Sequence, residues 1–151
     1  MGSKLPGSHT IDVESSTSVI SQVCGPILAE IKANSYATED IFAVHLAFEE
    51  AFTNAVKHGN KMDPKKHVQI DYSVDPEKVE ISITDEGQGF DPGKIPDPRS
   101  GKNLYKPEGR GLLLIRSYMD VVEYSPRGNS LRMVRYKEKP ALKISTEGAK
   151  L

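Results

Sequence analysis

The sequence has no tryptophan, only one cysteine and a formal net charge close to zero, −1 at pH 7. The single cysteine, Cys24, excludes an internal disulfide. The N-terminal residues lack the apolar core of a signal peptide, so we expect a reducing, cytoplasmic setting. No run of eighteen apolar residues occurs, which excludes a membrane-spanning helix in the sequence. Because no basic excess is present, we expect no direct binding to nucleic acid and none to a membrane.

The length and composition favour one soluble globular domain. The chain has 151 residues, 37% of them hydrophobic and 27% charged, which is enough for one core and too short for two. We expect the domain to span residues 10–137. Residues 1–9 are interpreted as a disordered segment or an expression remnant, and residues 138–151 as a flexible polar tail.

Hydrophobic periodicity predicts an α+β fold. Apolar residues at helical spacing predict helices over residues 19–31, 38–59 and 112–119, and the Gly25-Pro26 pair predicts a kink or a break in the first. Alternation of apolar and polar residues predicts strands over residues 68–74, 79–84, 121–124 and 130–136, with a short edge strand over 10–13. Short turns make hairpins, so we expect a two-layer α/β sandwich: a mixed, mostly antiparallel sheet covered on one face by three helices.

The second predicted helix carries two polar side chains near its end. Glu50 and Asn54 are four residues apart and therefore lie on one side of the helix. A carboxamide oxygen can bind Mg²⁺, and a carboxylate can take a proton from a nucleophile. Gly59 is expected to end the helix. Taken alone, the pair is equally typical of a solvated helix face.

Two glycine motifs follow. Asp85-x-Gly87-x-Gly89 comes at the end of a strand, where a buried carboxylate can accept a hydrogen bond from an exocyclic amine such as that of adenine; the alternative is a plain Asp-Gly turn. Gly109-Arg110-Gly111 opens the third helix, where free backbone N–H groups suit a phosphate; the alternative is a flexible loop that ends in a helix.

The three motifs in this order, with a long loop between the second and the third, resemble the GHKL ATP-binding superfamily of DNA gyrase, heat-shock chaperones and histidine kinases. They are similar to its N box, G1 box and G2 box, and the loop between them is similar to its ATP lid. The resemblance covers about residues 10–137. Within the superfamily, the stretch from Glu49 to Gly59 most resembles the anti-sigma-factor serine protein kinases.

The resemblance implies a Bergerat-type ATP-binding fold and a role for each motif. Asn54 would bind Mg²⁺ at the ATP phosphates, and Glu50 would be the general base on a substrate serine. Asp85 would accept from the adenine amine, and the other nucleotide-binding residues would be Gly87, Gly89, Gly109, Arg110 and Gly111. Side chains near the phosphates would be Lys57, His58 and the lid cations Arg99, Lys102 and Lys106, each equally consistent with a solvated charge.

The resemblance also implies a biological role. The protein would phosphorylate a small antagonist protein of the anti-anti-sigma type, sequester a sigma factor by partner switching, and form a homodimer. The alternatives are an ATP-binding module that sequesters a partner without phosphotransfer and the excised ATP-binding domain of a larger signalling protein. A histidine kinase is disfavoured because no helical pair with a phospho-accepting histidine precedes the domain. Simple ATP hydrolysis, as in gyrase, is disfavoured because no transducer domain is present.

Overall fold

A computed structural model describes residues 7–88 and 107–138. Five strands and three α-helices make up this part of the chain. The strands are β1 (Ser8–Glu14), β2 (His67–Val74), β3 (Lys78–Asp85), β4 (Val121–Tyr124) and β5 (Ser130–Tyr136). The helices are α1 (Ile20–Ala33), α2 (Thr38–Asn54) and α3 (Pro107–Tyr118). None of these helices is long and apolar enough to cross a membrane. β1 starts at Ser8, two residues before the expected start of the domain.

The strands form one sheet in the order β1-β2-β3-β5-β4. Every pairing between the described strands is antiparallel, so the prediction of a mixed sheet is wrong for this part of the chain. The reason is the connectivity, because β2–β3 and β4–β5 are hairpins and β1 pairs with β2 in the same antiparallel sense. The α+β class and the two layers are confirmed.

One face of the sheet is apolar and faces the helices. Its side chains alternate along the strands, as the period of two requires, and those buried at the centre are Val68, Ile70, Tyr72, Val79, Ile81, Ile83, Leu131 and Met133. They join one core with the apolar faces of α1 and α2. Within α2, Phe48 and Phe52 are fully buried and stack with their ring centroids 5.8 Å apart. The packing of Phe48 and Phe52 in this core sets the position of α2 relative to the sheet.

Helix α1 is continuous through Pro26, so the predicted break is not observed. Proline cannot donate to the carbonyl four residues earlier, which belongs to Gln22, but both residues are exposed and water can bind that carbonyl. The preceding residue, Gly25, has no Cβ to collide with the proline ring. A glycine before the proline therefore removes part of the steric conflict that usually ends a helix.

The second helix does not run to Gly59 as a regular α-helix. The α-helical part ends at Asn54, and Ala55–Gly59 form a π-helical turn. The backbone N–H of Asn60 donates to the Ala55 carbonyl across 2.8 Å, which closes the wider turn. The helical segment therefore ends at Gly59 as predicted, but through a π-helical turn and without a left-handed glycine conformation.

Candidate functional site

Asp85 is the centre of the candidate site. In β3 it follows Ile81 and Ile83 at every second residue, and it pairs with Val68 of β2, so it lies on the helix-facing side of the sheet. Asp85 comes at the last position of the strand, and it is only half-buried. The strand thus presents a carboxylate at the edge of an apolar core.

The turn after β3 contacts the π-helical turn directly. A Cβ on Gly59 would lie 2.1 Å from Asp85 Oδ2, and a Cβ on Gly87 would lie 2.1 Å from the carbonyl oxygen of Gly59. Neither position tolerates a side chain. Gly59 and Gly87 are glycines because Asp85 and the two backbones approach so closely, since neither residue has a positive φ. Close packing thus requires glycine at position 87, and the predicted contact of Gly87 with a nucleotide stays a prediction.

Hydrogen bonds fix Asp85 from both sides. Its backbone N–H donates to the Asn129 carbonyl (2.9 Å), and its own carbonyl accepts from Asn129 Nδ2 (3.2 Å). Carboxylate oxygen Oδ1 accepts from the Gly87 backbone N–H at 2.7 Å. Oδ2 receives no hydrogen bond from any described residue, so it can accept one from a ligand.

Burial raises the pKa of the Asp85 carboxyl above its ordinary value of 3.8. The Gly87 N–H and the cations of Lys66 and Arg127 act in the opposite direction and lower this pKa, but burial has the larger effect. A half-buried carboxyl with a raised pKa is a common feature of functional sites.

Asn60 holds the same region together and was not recognised in the sequence. It is fully buried, and its Oδ1 accepts from the backbone N–H of Glu86 at 2.7 Å. Its Nδ2 donates to Ser15 Oγ and to the His67 carbonyl, each at 3.0 Å. A polar residue directly after the helix-ending glycine was the only signal available, and it is typical of any loop.

Glu50 and Asn54 lie one turn apart on the last two turns of α2, as predicted. Both are half-buried, and neither side chain has a hydrogen-bond partner within residues 7–88 and 107–138. Asn54 directly precedes the π-helical turn whose last residue, Gly59, touches Asp85. The structure therefore connects the Glu50–Asn54 side of α2 to the Asp85 turn through one short segment.

The third motif lies at the start of α3. Gly109, Arg110 and Gly111 fall within the first turns of this helix, which packs against α2. The side chains of these three residues are not described. Gly89 and the expected lid, including Arg99, Lys102 and Lys106, lie outside the described residues.

The oxygens of Asp85 and Asn54 fit a nucleotide with a Mg²⁺ ion. The free Oδ2 of Asp85 matches an exocyclic amine. In the described part of the chain, no group of three or more histidine, cysteine, aspartate or glutamate side chains could hold a metal by itself. Mg²⁺ commonly takes one or two protein oxygens together with phosphate and water, so the single carboxamide of Asn54 fits that pattern.

Comparisons with known proteins identify the family of this chain. A family model described as a histidine kinase-like ATPase domain matches residues 15–135. Serine-protein kinase RsbW of Bacillus licheniformis is 35% identical over 96 residues, which cover 58% of each chain. RsbW of Staphylococcus aureus (strain MSSA476) is 32% identical over 117 residues, covering 72% of this chain and 74% of that protein. Anti-sigma F factor of Clostridium perfringens (strain SM101 / Type A) is 29% identical over 105 residues, covering 66% and 74%.

A solved structure shares the fold. The crystal structure of the RsbU and RsbW domains of Rv1364c from Mycobacterium tuberculosis matches with a TM-score of 0.57 at 14% identity, covering 85% of this chain and 31% of that chain. The match to the Bacillus licheniformis relative spans 58% of that protein's length. With a family model matching most of its length, the chain belongs to the histidine kinase-like, or GHKL, ATPase domain family, in the group that contains the RsbW serine-protein kinases and the anti-sigma F factor.

Proposed function

We propose that this protein is a Mg²⁺·ATP-dependent protein serine kinase of the anti-sigma-factor type. It transfers phosphate to a serine of a small antagonist protein of the anti-anti-sigma type. When it is not bound to that antagonist, it binds and sequesters a sigma factor. The names of the relatives, serine-protein kinase and anti-sigma F factor, support both halves of this proposal.

One observation carries the proposal. Glu50 and Asn54 lie side by side, half-buried and without a described partner, on the helix whose end is packed against the Asp85 turn. The short segment from Asn54 to Gly59 therefore links this pair of polar side chains to the half-buried Asp85 carboxylate. The arrangement supports one continuous site with an adenine end and a phosphate end.

Each residue has a distinct task in this proposal. Asp85 Oδ2 accepts from the adenine amine, and the Asn54 carboxamide oxygen binds the Mg²⁺ ion. The backbone N–H groups of Gly109 to Gly111 hold phosphate oxygens at the start of α3, as helix N-termini commonly do. A Mg²⁺ ion held by Asn54 would supply positive charge next to the phosphates. Glu50 takes the proton from the serine hydroxyl as its oxygen bonds to the γ-phosphorus, the bond from that phosphorus to the bridging β–γ oxygen breaks, and ADP leaves with the electron pair.

The variant Glu50→Gln tests the catalytic assignment. We expect phosphate transfer from Mg²⁺·ATP to a purified antagonist protein to fall by about 100-fold or more, the usual contribution of a general base. Nucleotide affinity, measured by calorimetric titration, should stay within about twofold because the carboxamide keeps the size and polarity of the side chain.

Glu49→Gln is the matched control. Glu49 is the neighbouring carboxylate, and it pairs with His45 at 3.1 Å on a different side of α2, so its loss should leave transfer unchanged. Transfer by Glu50→Gln at the wild-type rate would contradict the role of Glu50 as the base. A wild-type protein that binds Mg²⁺·ATP and a sigma factor but never transfers phosphate would favour the sequestering module instead.

Homodimer formation remains part of the proposal and has a direct measurement. Analytical ultracentrifugation of the purified chain at micromolar concentration should give a mass near twice that of the 16.6 kDa chain. A single species of the monomer mass would remove the dimer from the proposal and leave the kinase assignment untouched.

A further inference from the structure

Asn60 is a fully buried polar side chain that makes three hydrogen bonds. Oδ1 accepts from the Glu86 N–H, and the two Nδ2 protons go to Ser15 Oγ and the His67 carbonyl. The orientation of the carboxamide is unambiguous, because the Glu86 N–H can only donate and the His67 carbonyl can only accept. These three hydrogen bonds hold the side chain in one orientation.

This lock acts beside the Gly59 contact. Gly59 packs against the carboxylate of Asp85, and the next residue, Asn60, hydrogen-bonds the backbone of Glu86, the residue after Asp85. Gly59 and Asn60 thus contact Asp85 and Glu86, two successive residues at the end of β3. The first contact is steric and the second is a directional hydrogen bond, so together they restrict movement of the Asp85 turn along α2.

The consequence concerns the distance between the two ends of the site. Asn54 belongs to α2 and Asp85 to β3, so no covalent geometry fixes their separation. A ligand that contacts both requires this separation to be constant within about half an ångström. We propose that Asn60 is a positioning residue for the nucleotide: its bond to the Glu86 N–H holds the Asp85 carboxylate at a fixed place relative to Asn54. This inference rests on the proposed nucleotide binding and adds a residue that acts without touching the ligand.

A purely structural role of Asn60 predicts a different pattern of nucleotide affinities, and substitution of Ser15 distinguishes that role from the positioning role. Ser15 is buried and accepts one of the three Asn60 hydrogen bonds, but it lies at the start of the connection from β1 to α1. Ser15→Ala removes one buried hydrogen bond and leaves the bond from Glu86 to Asn60 intact. Asn60→Ala removes the Glu86 bond as well. If Asn60 only stabilises the fold, both variants should weaken nucleotide binding no more than their loss of stability requires.

The experiment compares wild type, Asn60→Ala, Ser15→Ala and Asn60→Asp. Affinity for Mg²⁺·ADP is measured by calorimetric titration well below each variant's Tm, and exchange of the Glu86 amide proton is followed by NMR without nucleotide. We expect Asn60→Ala to lose about tenfold in affinity, the equivalent of one hydrogen bond, with fast Glu86 exchange. Ser15→Ala should have a Tm lower by about 3 °C, wild-type affinity and protected Glu86.

Asn60→Asp provides the conservative rescue. It keeps an acceptor for the Glu86 N–H and loses both donated bonds, so it should be less stable than Ser15→Ala yet bind Mg²⁺·ADP within about twofold of wild type. If Asn60→Ala is too unstable to purify, Asn60→Ser takes its place, because the serine hydroxyl is one bond shorter than the carboxamide and leaves the Glu86 N–H without its acceptor.

The outcomes are distinct. Wild-type affinity in Asn60→Ala, or equal loss in Ser15→Ala and Asn60→Ala, overturns the positioning role while the proposed kinase stands. Failure of the wild-type protein to bind Mg²⁺·ADP overturns the proposed function, and the positioning role with it. Loss of affinity confined to the variants that lack the acceptor supports the inference.

Discussion

At the scale of single residues, Asp85 shows a conflict between stability and binding. Its carboxylate is partly removed from water, and only one of its oxygens is compensated by a described hydrogen bond, from the Gly87 N–H. Burial raises its pKa, which means that the folded protein holds the charged form less favourably than the unfolded chain does. Such a residue lowers the free energy of unfolding at neutral pH, a cost that the proposed contact with adenine would explain.

We therefore expect Asp85→Asn to be more stable than wild type at pH 7 and unable to bind nucleotide. The Asn oxygen can still accept from Gly87, while the penalty for burying a charge disappears. Because the folded pKa lies above the ordinary value of 3.8, this stability advantage should vanish below that pH, where Asp85 is protonated in both states. It should grow as the pH rises through the folded pKa and then stay constant.

Urea unfolding of both proteins between pH 3 and pH 8 measures the advantage, and calorimetric titration with Mg²⁺·ATP measures the loss of binding. A free energy of unfolding lower for Asp85→Asn than for wild type at pH 7 would contradict the assignment of burial as the dominant cause of the raised Asp85 pKa. Saturable ATP binding by Asp85→Asn with wild-type affinity would contradict the adenine role.

At the scale of elements, the π-helical turn at Ala55–Gly59 is the feature that brings α2 to the site. A wider turn places the Gly59 backbone against the Asp85 turn, and glycine is required there because no space exists for a Cβ. Turns of this kind inside helices often occur at functional positions. Here the turn brings the end of α2 into contact with Asp85, the centre of the candidate site.

Gly59→Ala should therefore be destabilised by about 1–3 kcal/mol, the usual cost of overpacking, although alanine is the better helix former. Nucleotide affinity should fall as well, because the added methyl group displaces the Asp85 carboxylate. Urea unfolding and Mg²⁺·ATP titration are the measurements.

A double-mutant cycle identifies the source of the cost. The three atoms nearest to the added Cβ all belong to the Asp85 side chain beyond its Cβ, so Asp85→Ala removes them. Gly59→Ala should then be less destabilising in the Asp85→Ala protein than in wild type. Equal costs in both backgrounds would show that backbone strain, and not this contact, disfavours alanine.

At the scale of the whole molecule, one ion pair joins the helical layer to the sheet far from the site. Arg135 of β5 donates from Nε to Asp40 Oδ1 at 2.7 Å and from Nη1 to the Tyr118 carbonyl at 2.6 Å. The other oxygen of Asp40 accepts from the Ala37 N–H at the start of α2. The start of α2 and the end of α3 are thereby joined to the same strand, and the side chains of Arg135 and Asp40 are only 14% and 9% exposed.

Asp40→Asn should cost about 3 kcal/mol of stability, because the removal of one partner leaves the Arg135 guanidinium buried without its counter-charge. The effect should appear in chemical denaturation and leave the affinity of the folded protein for nucleotide unchanged, since the pair is remote from Asp85. Weakened nucleotide binding by fully folded Asp40→Asn would contradict this expectation and indicate that the whole of α2 moves when the ion pair with Arg135 is lost.

Arg132→Met is the comparison for this prediction. Arg132 lies on the exposed face of the same strand and pairs with Glu80 and Glu123. Such exposed pairs contribute about 1 kcal/mol or less, so this variant should lose far less stability than Asp40→Asn. A similar loss for both would contradict the importance given to burial.

The sequence by itself determined the elements and the chemistry of the motifs. Periodicity predicted the three helices and the hairpins because apolar residues must face one core, and spacing alone set Glu50 and Asn54 on one side of α2. The order of the glycine motifs indicated a nucleotide site, and the family comparison confirmed the superfamily. Of the kink or break predicted at Gly25-Pro26, the break is not observed, because the Gln22 carbonyl that loses its partner is exposed to water, which the sequence alone does not reveal.

Only the tertiary structure decided how the motifs meet. The π-helical turn, the contact of Gly59 with Asp85 and the bonds of Asn60 all join residues that are distant in sequence. No local preference encodes them, since they exist only after α2 and β3 have packed on the same core. The wholly antiparallel order of the described strands was settled in the same way, because pairing in a sheet depends on which edges become neighbours and not on the pattern of any one strand.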